Sequence, residues 1–377
     1  MKPSFFLIML FLLLGMNVYV IYRLVSMLPR MLPLRIAVLT LCTIAIGSFF
    51  LNFFARRMLS PEWSALLMNV GYAWLIGSVY FFLIFILLDV CRLLHVAGVN
   101  GLLYRNGWAF AATVGLVAAI LWVGNITYRH KKRVELQMEL TKPLPAPLTV
   151  VALSDLHLGY NIGEKELTEW IGLINKEKPD IVLIAGDLVD NAVQPLEEQR
   201  LDSVLRGIHA KYGVYAAPGN HDYFDHIDSV TAFTRRAGIH MLRDDSYLVD
   251  SLFYVVGRED RHSRHRQSDL SILLDSIDTE KPIILLDHQP YDLDTLLGSG
   301  VDLQISGHTH EGQVWPLSWI VRNMYEKAHG YLRKGETNVY VSSGIGLWGG
   351  KYRIGTRSEY VVIKIKGAAS DASKQSN

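Results

Sequence analysis

Hydrophobic positions follow two different patterns on either side of residue 130. Before it lie four uncharged apolar stretches, residues 5–22, 36–55, 63–88 and 107–128. Runs of roughly 17–25 such residues cross a bilayer as helices, and the third is long enough to tilt or to include an interfacial end. Trp63, Trp108, Trp122 and Tyr128 fall near the span ends, where an aromatic belt places them. The first stretch lacks a small-residue cleavage site and is followed by more spans, so it reads as a span and not a signal peptide. Residues 1–129 are therefore expected to form a four-helix transmembrane region.

After residue 130 the apolar positions shorten and alternate. Val134, Leu136, Met138 and Leu140 interleave with Arg133, Glu135, Gln137 and Glu139, the period-two signature of a half-buried strand. A proline-rich link, 142–147, follows. The apolar run 150–153 then closes abruptly in Asp155, His157 and Gly159, which reads as a buried strand ending in chemistry. Helices are expected at 164–176, 196–209 and 228–237. Strands are expected at 180–185, 213–217, 239–242, 247–249, 253–256, 283–287, 303–306, 338–342 and 360–365. The tail 367–377 is small and polar and is expected to be disordered. The polar domain thus spans 130–366, and its alternation of strands and helices predicts an α/β fold.

Composition narrows the partners. Net charge is +1, which gives no reason to expect a nucleic-acid partner. Cys42 and Cys91 both lie in the apolar half, so a metal in the polar half must be held by nitrogen and oxygen. Four spans put both chain ends on one side, with Lys2, Arg56, Arg57, Arg129, Lys131, Lys132 and Arg133. The other side carries Arg23, Arg30, Arg35, Arg92 and Arg105. The bias, seven against five, points to the amino terminus and the polar domain in the cytosol. Asp89 and Arg92, three apart, are expected to pair.

Five polar clusters sit at the ends of expected strands: Asp155–His157, Gly186–Asp190, Gly219–Asp222, Asp287–His288 and Gly307–His310. Singly, each has a plain structural reading: Asp190 as a helix cap, His288 as a satisfied core histidine, Asn220 as a turn residue. Five in order at strand ends are better explained together, because open α/β sheets place their sites beyond the carboxyl ends of strands.

The ordered set DLH, GDLVD, GNHD, DH and GHTH resembles the calcineurin-like metallophosphoesterase superfamily, in its membrane-anchored bacterial branch, over roughly residues 133–365. The resemblance implies a four-layer α/β/β/α sandwich with a two-metal site on the loops at one edge. It implies that Asp155, His157 and His310 hold one divalent ion, manganese first with iron or zinc as alternatives. Asn220, His288 and His308 would hold the other, with Asp187 bridging. His221 would lie beside the scissile ester without binding metal, Asp222 would orient it, and Asp190 would support the ligands from behind. Asp287 is a candidate acceptor for His288. The implied reaction is metal-assisted hydrolysis of a phosphodiester or pyrophosphate. A lipid-linked substrate such as UDP-2,3-diacylglucosamine, from lipid A synthesis, suits the membrane anchor. A non-catalytic scaffold on the same fold, or a transporter or sensor using the helices, is the alternative class.

Three features stand outside that pattern. Glu311 occupies a position where the family motif has glycine. The segment 258–266, REDRHSRHR, reads either as a clamp for substrate phosphate or as a solvated loop, with His262 and His265 not expected to be ligands. The aromatic segment 315–331 reads either as a membrane-interface or lipid-groove element, using Trp315, Trp319, Ile320 and Tyr325, or as packing between sheets.

Overall fold

The computed structural model describes residues 3–55, 58–266 and 269–368. The chain divides into two compact units, Met1–Ile126 with Gly349–Tyr352, and Thr127–Trp348 with Arg353–Asn377.

In the first unit the apolar runs form α1 (Pro3–Met27), α2 (Leu32–Ala55), α3 (Pro61–Leu93) and α5 (Gly107–Arg129), with a short α4 (Val99–Leu103) between the last two. Four of these helices are long and apolar enough to cross a membrane. Their outward faces carry exposed Phe11, Leu12, Leu41, Phe54 and Trp122, as surfaces solvated by lipid do. Asp89 keeps the expected pair with Arg92 and gains a second, closer partner from α1. Arg23 of α1 donates to both of its oxygens, Tyr19 donates at 2.5 Å, and Arg92 approaches only to 3.4 Å. Helix packing brings a buried guanidinium from α1 onto the carboxylate, beside the more exposed Arg92 of the same helix. Arg23 thus lies inside a helix and not in a loop. Lys2, Arg56 and Arg57 lie outside the described residues.

The second unit begins with β1 (Lys132–Pro143), three residues past the end of α5. It continues through β2 (Leu148–Leu153), α6 (Glu164–Lys176), β3 (Ile181–Ala185), α7 (Gln194–Glu198), α8 (Leu201–Leu205), β4 (Val214–Ala217), α9 (Ile227–Arg236) and β5 (Ile239–Met241). Then follow β6 (Asp245–Val249), β7 (Phe253–Gly257), α10 (Leu270–Leu274), β8 (Ile283–Leu286), β9 (Leu303–Ser306), α11 (Leu317–Arg322), β10 (Gly330–Lys334), β11 (Thr337–Val341) and β12 (Glu359–Ala368). One sheet has the order β1-β12-β2-β3-β4-β5 and the other β10-β11-β9-β8-β7-β6. Strands β2 to β5 are mutually parallel, as are β7, β8, β9 and β11, while β12 runs antiparallel to β2 and β6 to β7.

Strand alternation builds the layers. In β2, Val150 and Ala152 enter the core between the two sheets, whereas Val151 and Leu153 pack under α6, α8 and α9. In β8, Ile284 and Leu286 face the inter-sheet core, and Ile283 and Leu285 face α10. A strand buried on both faces reads as a continuous apolar run, which is why these were legible. The result is the α/β/β/α sandwich.

Several boundaries differ from expectation. The helix expected at 196–209 is two short helices, broken where Arg200 takes φ 51°. Gly367 and Ala368, expected to open the tail, instead belong to β12, held by the register of β1 alongside it. Residues 369–377 lie outside the described residues. Strand β10 and helices α10 and α11 carried no periodic signal long enough to read.

Candidate metal centre

All five clusters leave the carboxyl ends of parallel strands: Asp155 after β2, Asp187 after β3, Asn220 after β4, His288 after β8 and His308 after β9. Each chain must turn sharply there to aim a side chain at one point. Asp155, His157, Asp187, His308 and His310 accordingly take φ between 47° and 70°. Non-glycine residues in that region cost about 1–3 kcal/mol each and gather at functional sites. Close approach also demands glycine: a Cβ on Gly219 would lie 2.2 Å from Asp187 Oδ1, and one on Gly307 2.3 Å from Asp155 Oδ2.

Two separate groups of ligand atoms result, Asp155 with His157 and His310, and Asp187 with His288 and His308. Asn220 Oδ1 stands 2.8 Å from His308 Nδ1, and His157 Nε2 stands 3.6 Å from Asp187 Oδ2, which links the two groups. The structure thus gathers all seven residues named for metal in one place. His221 also comes within reach, grouped with His157 and Asp187.

The donor chemistry fits cations. His288 Nδ1 donates to the Ala185 carbonyl at 2.8 Å, so in the neutral ring it is Nε2 that offers a lone pair to a cation. That atom lies 3.1 Å from Asp187 Oδ2 with both side chains fully buried. His157 Nε2 and His310 Nε2 face each other at 3.2 Å. Electron-rich atoms brought this close in a dry interior need positive charge between them. All are nitrogen or oxygen donors, suited to divalent transition metals.

Titration reflects the same crowding. Burial pushes the Asp155 carboxyl up, with Asp187 adding to it. Burial alone would raise Asp187, but the neighbouring His288 outweighs it and holds the carboxyl well below its usual range. Burial likewise works against the His288 imidazolium, and Asp187 overrides it upward. Burial and His288 lower His308 to about 4, and burial also lowers His221.

The supporting residues differ from expectation. Asp222 does not orient His221: its carboxylate accepts from the Val189 and Gly219 amides at 2.9 and 2.8 Å. The His221 ring is held by Asp190, whose carbonyl accepts from Nδ1 at 2.7 Å. Asp222 lies with His221 inside the 3-10 turn His221–Tyr223 and turns to the backbone amides, so sequence adjacency did not become contact. Its carboxyl is pushed to about 7 by burial and by Asp187. Asp190 also stands 3.4 Å from His157 Nδ1, so one residue braces two imidazoles. Asp287 is not the acceptor for His288; it binds Arg258 at 3.0 Å and Arg266 at 2.8 Å. Segment 258–266 is accordingly not wholly solvated, for Arg258 and Arg266 brace Asp287. His262 turns to Asp260 and His265 stays exposed, both away from the ligand groups.

Sequence reasoning missed Arg353. It is fully buried and donates to the carbonyls of His310 (2.6 Å), Ser343 (2.5 Å) and Gly346 (3.2 Å), and to Ser358 Oγ (3.1 Å). Nothing in a lone arginine near the carboxyl end distinguishes it from a surface cation. Glu311 is also structural: Arg322 donates to it and His329 Nδ1 lies 3.7 Å away. Phe224 and Trp348, both about half-exposed, flank His221 with ring centroids 4.4 and 6.1 Å from its own.

Residues 148–312 match the family model for the calcineurin-like phosphoesterase. A Campylobacter jejuni protein described as an uncharacterized metallophosphoesterase is 35% identical over 59% of this chain and 60% of its own length. The chain therefore spans less than two thirds of that relative. An uncharacterized metallophosphoesterase of Helicobacter pylori is 32% identical over 69% of this chain and 72% of its own. A zebrafish transmembrane protein with metallophosphoesterase domain is 30% identical over 89% of this chain and 80% of its own, so the likeness extends beyond bacteria.

Proposed function

Because the chain belongs to the calcineurin-like metallophosphoesterase family, we propose that its centre binds two divalent cations and hydrolyses a phosphodiester or pyrophosphate. The observation that carries this reading is the facing of His288 Nε2 and Asp187 Oδ2 at 3.1 Å inside a buried cluster of further imidazoles. Asp155, His157 and His310 would hold one ion and Asn220, His288 and His308 the other, with Asp187 shared between the two sets. Manganese is the first choice, with iron or zinc as alternatives, since no thiolate is present among the donors. Bound divalent ions would supply a nucleophilic water at neutral pH and neutralise charge on the phosphoryl oxygens.

The chain's own groups do the rest. The Asp190 carbonyl holds Nδ1 of His221 as the proton-bearing nitrogen of the neutral ring, so Nε2 is the atom that takes up a second proton from solvent and passes it to the leaving oxygen. Phe224 and Trp348 beside that ring favour an organic leaving group over a bare phosphate. Together with the four apolar helices this supports a lipid-linked substrate of the UDP-2,3-diacylglucosamine type. The charge bias of the loops supports a cytosolic catalytic unit in an inner membrane. The scaffold reading needs a missing ligand, and each expected position is filled.

The test is metal analysis and turnover of the full chain on mono-, di- and pyrophosphate esters. Asp187→Asn should lose both metal and activity. His221→Ala should keep its metal while turnover falls roughly 10²–10⁴-fold, less for nitrophenolate esters, which leave without protonation. Full turnover in Asp187→Asn, or loss of metal in His221→Ala, would refute these roles.

A further inference from the structure

The aromatic segment after the last histidine motif is not core. Trp315, Leu317, Trp319, Ile320 and Met324 are between 44% and 67% exposed, five large apolar side chains within ten residues. Elsewhere in the second unit such residues are scattered, and scattered ones need no explanation, whereas a contiguous patch does. Leu317, Ile320 and Met324 recur at helical spacing along α11 and its following turn, so they share one side. The inward side is spoken for: Ser318 is buried, and Arg322 reaches back to Glu311, the residue after His310. At the other end the Thr309 hydroxyl donates to the Ala328 carbonyl at 2.5 Å, and Tyr325 bonds Tyr291 and stands 6.4 Å from the His308 ring. The segment is thus a short wedge fastened at both ends to the loop that carries His308 and His310.

We propose that this wedge inserts into the interfacial layer of the membrane the chain spans. Indole rings beside aliphatic side chains are the composition that settles at headgroup depth. The occupant follows from connectivity: β1 starts at Lys132, three residues after α5 ends at Arg129, so the catalytic unit is tethered at a bilayer surface. Glu311, where the family motif has glycine, acquires a reason, for its pair with Arg322 holds the wedge on the metal-site loop. The centre is thereby held beside lipid, whatever ester it cleaves.

The experiment uses the full chain with Cys42 and Cys91 replaced by alanine, in nanodiscs holding one copy each. An environment-sensitive NBD label is placed at Trp319→Cys, at Met324→Cys, and at Ile272→Cys on α10, which is also exposed. Labels at 319 and 324 should emit to the blue of the one at 272. Lipid spin-labelled near the headgroup should quench them about twofold or more. Emission matching the 272 control would overturn the proposal. So would a blue shift without quenching by lipid, which would mean a protein cover, or a shift seen only with two copies per disc, which would mean self-association.

Discussion

Replacing Arg353 by methionine tests whether the metal centre depends on a residue that touches no ligand side chain. The guanidinium is fully buried, and burial pulls it down to about 10 while Asp155 and Glu359 oppose the fall, so it stays charged at neutral pH. Methionine fills much of its volume but leaves the carbonyls of His310, Ser343 and Gly346 without the donor they have now. An orphaned buried acceptor costs about 1–3 kcal/mol. With some relaxation at His310, which is only partly buried, a total near ~4 kcal/mol is expected. At roughly 2–4 °C per kcal/mol for a unit of this size, the thermal midpoint in detergent should fall by about 8–16 °C. His310 also loses the anchor of its own carbonyl, so metal affinity should drop about 10–100-fold, as when groups behind a ligand are removed. Lysine keeps the charge but cannot span four acceptors, so Arg353→Lys should recover less than half of either loss. Calorimetry of unfolding and titration of the stripped protein with manganese read the two effects separately. A midpoint within about 2 °C of the parent, with unchanged metal affinity, would show that the clamp is incidental.

Gly219→Ala should abolish metal binding, because its Cβ would sit 2.2 Å from Asp187 Oδ1, whereas Gly172→Ala on exposed α6 meets nothing and should stabilise by about 0.5–1 kcal/mol; metal content and midpoint check both. For His329, burial opposes its charge but Glu359 and Glu311 outweigh it and raise its pKa above 6.5. Its charged pairing therefore stabilises fully below pH 6.5 and fades as pH rises through the raised value. The midpoint gap between the parent and His329→Gln should be wide at pH 6 and shrink at pH 9, and a gap that widened with pH would reverse the assignment. Protease added outside intact cells should leave residues 134–377 uncut, and cleavage there would place the catalytic unit on the other face.

Local physics made much of this chain legible before any coordinates. A bilayer demands long uncharged runs, so the four helices announced themselves, though each extends past its uncharged core because ends carrying Arg23 or Arg92 remain helical. Doubly buried strands such as β2 and β8 must be apolar throughout, and the polar residues that end them mark the site edge. That is why the clusters holding Asp155, His157, Asp187, Asn220, His288, His308 and His310 stand out in one dimension, while the choice of these seven follows from the resemblance to the family. What sequence could not decide was contact between residues far apart or deceptively near. Asp222 and Asp287 adjoin the histidines they were expected to hold, yet neighbours on a turn project in different directions, and both carboxylates went to other partners. Asp190, on a different strand's loop, supplied the acceptor for His221 instead. Arg353 acquires its meaning only when β12's approach and the Gly307–His310 loop bring unpaired carbonyls to one point. Asp89 kept its i+3 neighbour Arg92 but also gained Arg23, a partner that helix packing and not spacing brought beside it. And the aromatic run 315–331 had two readings until tertiary burial left its rings outside, since the same composition suits a core or a membrane surface.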